Sequence, residues 1–189
     1  MDPFQLLKAD HRNVAALFEE LESARGGAAK LRVFEQIKTE LELHTHIEEK
    51  ILYPALEEPK QTHDLTLEAY EEHDVVKKLL RELSRAKSAD DEWEAQAKVL
   101  QENVEHHVEE EENELFKKAK AALSQEEIAE LGEELQAEKS RKQKAASSKK
   151  SAAKKGASKN ASASKRASAS SAPKRATRSR SKKSAAKKR

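Results

Sequence analysis

The chain has 189 residues and no cysteine, with 37 Lys/Arg against 35 Asp/Glu for a formal net charge of +2. The missing cysteine excludes disulfides, thiolate metal sites and cysteine nucleophiles, and no apolar run is long enough to span a bilayer. The near-neutral total conceals a split: residues 139–189 hold 20 basic residues and no acid, leaving residues 1–138 with 17 basic against all 35 acidic, a net of −18.

Met1 leads straight into a helical pattern with no secretory leader, which sets an expectation of a cytoplasmic protein, associated with the nucleoid if the basic part binds DNA. Residues 1–138 are rich in Glu, Leu, Ala and Lys and read as helix throughout. The first helix is predicted from Pro3 to Arg25, stopped by Gly26-Gly27. A second runs from Ala28 to Glu57, bent or ended by Pro54 and closed by Pro59. The third spans Gln61 to Lys87, and Asp90 and Asp91 offer a turn and an N-cap for a fourth from Glu92 to Leu123. A short fifth helix, 124–138, opens on the capping box Ser124-Gln-Glu-Glu127. Four long helices with short connections predict an all-α, up-down-up-down four-helix bundle over residues 1–123.

Each bundle helix carries an apolar stripe at 3.6 spacing, and the polar residues that interrupt it are the informative ones. The inner lines read Phe4, Leu7, His11, Val14, Phe18, Leu21; then Ile37, Leu41, His44, Glu48, Ile51, Leu52; then Leu65, Ala69, His73, Val76, Leu80, Leu83; then Leu100, Val104, His107, Val108, Glu111, Leu115. Every helix therefore places a histidine on its buried face, and two add a glutamate one turn later. Imidazole and carboxylate are costly to bury without a partner, and a first-row metal ion is one. The i, i+4 pairs His44/Glu48 and His107/Glu111 each lie on one helical face. Carboxylates from two facing helices can bridge two metals while histidines cap the outer positions, a donor set suited to iron or manganese.

A single histidine in an apolar stripe is more often a hydrogen-bonded core residue than a ligand. Glutamate fills 29 of residues 1–138, so a His followed four later by Glu arises readily by chance; His106/Glu110 is a third, outward-facing instance. The joint pattern is what carries the metal reading. His44 to Tyr53 and His107 to Phe116 both follow H-x-x-x-E-E-x-x-L-aromatic, an internal repeat, and the two remaining helices each supply one inward histidine.

Asp10-His11, His44-x-x-x-Glu48-Glu49 with Leu52-Tyr53-Pro54, Glu71-Glu72-His73, and His107-x-x-x-Glu111-Glu112 with Leu115-Phe116 together resemble the signature of hemerythrin-like (HHE cation-binding) domains. The resemblance implies His11, His44, Glu48, His73, His107 and Glu111 as ligands of two non-haem iron ions, bridged by the carboxylates and by an oxo or hydroxo group. Oxygen-carrying hemerythrins have a second histidine four residues after the one on the third helix, where this chain has Lys77. Their fourth-helix motif also has a longer spacing to an aspartate, which His106 to Glu111 would mimic, but His106 faces away from the inner line. The resemblance therefore implies a centre that senses or handles oxygen, peroxide, nitric oxide or iron. A phenolate from Tyr53 or Tyr70 is an additional candidate metal contact. His46, about 200° around the helix from His44, is expected at the solvent face, and His63 is expected as a cap or surface residue.

Residues 139–189 form short Ser/Ala/Lys/Arg blocks without Leu, Ile, Val, Phe, Tyr or Trp, and are expected to be disordered when free. Their composition resembles the Lys/Ala-rich termini of linker histones and some nucleoid proteins. Lys149, Lys150, Lys154, Lys155, Lys165, Arg166, Lys174, Arg175, Arg178, Arg180, Lys182, Lys183, Lys187, Lys188 and Arg189 are the candidate contacts to DNA or another polyanion. With no aromatic for base stacking, phosphate contact is the available mode. The function expected is thus a di-iron protein tethered to nucleic acid. A peroxide-decomposing di-iron enzyme and a nucleoid-structuring protein with a metal-free bundle are the alternatives.

Overall fold

A computed structural model describes residues 2–167, with side chains through residue 148. The candidate polyanion contacts Lys174, Arg175, Arg178, Arg180, Lys182, Lys183, Lys187, Lys188 and Arg189 lie outside the described residues. So do the side chains of Lys149, Lys150, Lys154, Lys155, Lys165 and Arg166.

Helix α1 is Pro3–Ser23, capped by the Asp2 carboxylate, which accepts from the Phe4 amide at 2.9 Å. Gly26, at φ 84°, makes the reversal into α2, Gly27–Ile47, in a backbone conformation that suits glycine. The chain then widens into a π-helical turn, Glu48–Leu52, before the short α3, Tyr53–Glu57. After the Pro59 turn, α4 spans His63–Leu83. Asp90 accepts from the Trp93 amide at 3.0 Å to start α5, Asp91–Glu110, followed by a second π-helical turn, Glu111–Leu115, and α6, Phe116–Ala122. The result is an up-down-up-down four-helix bundle, in which the second and fourth helices are each a helix, a π turn and a shorter helix.

Those π turns are the main departure from the continuous helices expected. Both begin at the glutamate of the repeated H-x-x-x-E-E motif, and Tyr53 and Phe116 donate their amides to the carbonyls of Glu48 and Glu111, five residues back. Pro54 follows one turn and no proline follows the other, so the proline is not their shared cause. Single π turns inside α-helices concentrate at functional sites because they re-aim the side chains they carry.

The apolar residues form two clusters. One contains Val14, Phe18, Phe34, Leu80, Trp93 and Leu100; the other contains Phe4, Leu7, Leu52, Tyr53, Phe116 and Leu135. Each inner line passes from one cluster to the other through its histidine, so the polar residues make a layer between two dry cores. Ile51, Leu65 and Val108, read as inner, are only partly buried, while Ile47, Leu56 and Ala119 are core residues that the stripes did not include.

Helix α7 begins as expected: the Ser124 amide donates to Glu127 and the Glu127 amide to the Ser124 hydroxyl, at 2.7 and 3.2 Å. It does not stop at 138 but runs Gln125–Ala167. Ala, Lys and Arg are good helix formers even where nothing apolar is available to pack, so the residues read as disordered carry helical propensity of their own. Leu131 and Leu135 bury against the second cluster, making α7 part of the compact unit Met1–Ala145. Residues 146–167 continue the helix in a second unit.

Candidate metal centre

The four inner histidines arrive in two pairs. His11 Nε2 and His44 Nε2 are 3.1 Å apart, and His73 Nε2 and His107 Nε2 are also 3.1 Å apart. Two nitrogens about 2.1 Å from one metal ion and near a right angle to each other stand about 3 Å apart. Glu48 Oε2 lies 3.1 Å from His44 Nε2 and 3.4 Å from His73 Nε2. Glu111 Oε2 lies 3.5 Å from His11 Nε2 and 3.8 Å from His107 Nε2. Each carboxylate thus faces one histidine of each pair, the placement a bridging ligand needs.

All six candidate ligands are brought together, and all are buried. Both oxygens of Glu48, Glu111 Oε2 and His44 Nδ1 have no hydrogen-bond partner despite burial. An unsatisfied buried polar atom costs about 1–3 kcal/mol, more if charged, so an all-protein explanation of this layer is incomplete. A metal ion among these atoms completes it, and the imidazole and carboxylate donors fit one.

The electrostatics point the same way. Burial, then the charge of Glu111, pushes Glu48 well above the ordinary carboxyl range. Glu111 is held low because His107, His11 and His44 outweigh its own burial. Burial, with help from His11 and His73, brings His44 down to about 4 against the pull of Asp10 and Glu111. Imidazole at that position is neutral at physiological pH, the form that ligates metal.

Tyr53 is buried at the edge of the layer, donating to Glu111 Oε1 at 3.0 Å and standing 3.1 Å from His73 Nε2. Burial, then Glu111 and Glu48, pushes its hydroxyl well above its ordinary pKa, so it is held as a phenol. Tyr70 is not brought to the cluster; its ring packs edge-on against Tyr53, and burial, then Glu57, raises its hydroxyl pKa to about 12. His63 is exposed and bonds the Glu57 carbonyl at 2.8 Å, as a surface cap would. His106 is 64% exposed, beside Glu72 and Glu110. His46 is off the inner line as expected but is half-buried, bonding Glu138 of α7 at 2.8 Å. The solvent face anticipated for it is the one α7 covers.

A family model for the hemerythrin HHE cation binding domain matches residues 2–119. The chain belongs to the hemerythrin HHE cation binding domain family. A hemerythrin HHE cation binding domain-containing protein from Mycobacterium kansasii has the same fold, with a TM-score of 0.66 and 24% identity over 75% of this chain and 86% of that one. A DNA nickase of Nostoc sp. (strain PCC 7120 / SAG 25.82 / UTEX 2576) is 31% identical over 111 residues, 59% of this chain and 31% of the relative. The chain therefore spans about a third of the length of that curated relative.

Around the six candidate ligands lies an outer layer that the inner lines do not show. His11 Nδ1 pairs with Glu112 Oε1 at 2.8 Å, His73 Nδ1 with Glu49 Oε1 at 2.9 Å, and His107 Nδ1 with Glu72 Oε2 at 2.7 Å. Such partners orient an imidazole and raise its basicity. Lysines stand behind two of them: Lys8 on Glu112 at 2.8 Å and Lys77 on Glu49 at 2.6 Å. Lys77, at the position where oxygen carriers place a histidine, thus serves the outer layer. The signal was in the sequence as adjacency. The second Glu of each E-E pair and Glu72, which precedes His73, supply these groups, each to a histidine on another helix.

Proposed function

We propose that this HHE domain holds two non-haem iron ions, one at His11/His44 and one at His73/His107, with Glu48 and Glu111 between them. The observation that carries this reading is Glu48, fully buried with both oxygens unpartnered and facing a histidine of each pair. Iron held there would supply one-electron redox chemistry; manganese suits the same donors. Beside the four histidines is a cavity of about 10 Å³ walled by Val14, Leu41, Val76, Val104 and Val108. That is about the least space a single water needs, so a small ligand rather than a larger substrate is the class the site would admit. The protein's own residues keep bulk water out of that space, orient the imidazoles from outside, and hold a proton on Tyr53 next to Glu111. That proton is the specific feature favouring a second reading, a peroxide-decomposing enzyme, since it can be lent to a departing oxygen.

Anaerobic ferrous loading followed by metal analysis and absorption spectroscopy tests the first reading. About two irons per chain, with ligand-to-metal charge-transfer bands after oxidation, is the expected result. Loading unchanged in a His44→Ala/His107→Ala variant overturns it. Peroxide turnover by the loaded protein separates enzyme from sensor.

The basic residues from Lys149 onward are proposed to bind nucleic acid or another polyanion by phosphate neutralisation, with strong salt dependence. The Nostoc relative, named for action on DNA, is compatible with that partner. Residues 1–145 carry 21 basic against 35 acidic residues and should repel a duplex. Truncation after Ala145 is expected to abolish duplex binding at low salt and leave iron content intact; retained binding would contradict the proposal.

A further inference from the structure

His44 breaks the pattern of the outer layer. The other three histidines meet a glutamate at 2.7–2.9 Å, whereas the carboxylate beside His44 is Asp10, one methylene shorter, with Oδ2 3.8 Å from Nδ1. The other Asp10 oxygen is ion-paired with Lys139, which comes from α7 and lies 129 residues away in sequence. The position of Lys139 is over-determined. Its neighbour Glu138 receives Arg141 at 2.7 and 2.8 Å, His46 at 2.8 Å and Lys50 at 2.9 Å, and Leu135 one turn earlier is fully buried.

We propose that Lys139 is a positioning residue of the metal centre: α7 holds Asp10 beneath His44 and so governs the His11/His44 position, leaving the His73/His107 position to its own glutamates. This rests on the reading that the layer binds two metal ions. The Asp10 side chain is only 13% exposed, and a carboxylate that far out of water keeps its place through a cation. Lys139 is that cation. Without it Asp10 turns toward solvent, and His44 Nδ1 loses the carboxylate that stands 3.8 Å from it. The two metal positions, alike in their inner ligands, therefore differ in what supports them, and one depends on a helix beyond the span matched by the family model.

Anaerobic titration of the full chain with Co²⁺, followed by d–d absorption and chelator competition, resolves the two positions. Wild type is expected to bind two equivalents. Lys139→Met should weaken one equivalent about tenfold, the lower end of the usual range for outer-layer partners, and leave the other unchanged; Lys139→Arg should restore it. Asp10→Asn, which leaves α7 docking through Glu138 and Leu135 in place, should weaken the same equivalent, so the proposal stays testable even if Lys139→Met folds poorly. Two equivalents as tight as wild type in Lys139→Met, or both weakened alike, overturn it. A wild-type chain that binds no Co²⁺ overturns the metal reading beneath it instead.

Discussion

Glu49 Oε1 stands 2.9 Å from His73 Nδ1, although Glu49 follows a candidate ligand on one helix and His73 is a candidate ligand on another. Glu112 stands in the same relation to His11 at 2.8 Å. The two E-E pairs therefore do double duty: the first glutamate turns into the layer and the second reaches around its neighbour to steady a histidine. Glu49→Ala is expected to lower metal affinity 10–100-fold. Glu49→Gln, which keeps a carbonyl acceptor for the imidazole N–H, should lose less. Chelator competition on both variants checks the order, and equal losses would show that charge rather than the hydrogen bond matters.

Glu48 has opposite consequences in the two forms of the protein. In the metal-free form it is a buried acid with no partner, so Glu48→Gln should leave the Tm unchanged or raise it. With metal present the same variant should lose most of the metal-induced rise in Tm, because the carboxylate proposed to bridge is gone. Thermal melts with and without metal measure both.

The neighbouring histidines 106 and 107 separate cleanly by burial. His107 is 4% exposed and His106 is on the surface. His106→Ala should leave metal content at the wild-type level, and His107→Ala should reduce it; the reverse result would mean that the other register of the motif binds.

Leu135 is fully buried although its helix follows the four-helix bundle. Leu135→Ala is expected to cost about 2–5 kcal/mol by the usual cavity arithmetic, read as a fall in denaturation midpoint. A change under about 0.5 kcal/mol, the size of an ordinary surface substitution, would mean that α7 does not contribute to the core.

Glu138 is held below the ordinary carboxylate range by its bonds to Arg141, His46 and Lys50. A carboxyl depressed on folding adds stability above its unfolded pKa and loses it as pH falls through the folded value. Glu138→Gln should therefore lower Tm by a few degrees at pH 7, and this difference should hold down to about pH 4.5 and shrink below it. A penalty that grew on acidification would contradict the sign.

The fold and the burial of the six candidate ligands were legible because both are written locally. A stripe at 3.6 spacing fixes which face of a helix is buried, so a histidine at position 11, 44, 73 or 107 had to point inward, and His106 outward. Glu48 and Glu111 followed from i, i+4 geometry. The roles of Asp10, Glu49, Glu72 and Glu112 were not legible in that way, since each acts on a histidine of a different helix and neighbours in sequence do not share a helical face. The π turns were hidden for a related reason: they depend on how the widened turn packs, and E-E-x-x-L is also a good α-helical sequence.

Composition and periodicity by themselves determined a histidine-bearing four-helix bundle followed by a basic segment, because burial and charge are additive along the chain. Only the tertiary structure decided that α7 runs past 138, covers the His46 face and brings Lys139 to Asp10. That contact joins residues 129 apart, and no local pattern records it, since its existence depends on where Leu131 and Leu135 find apolar surface to bury.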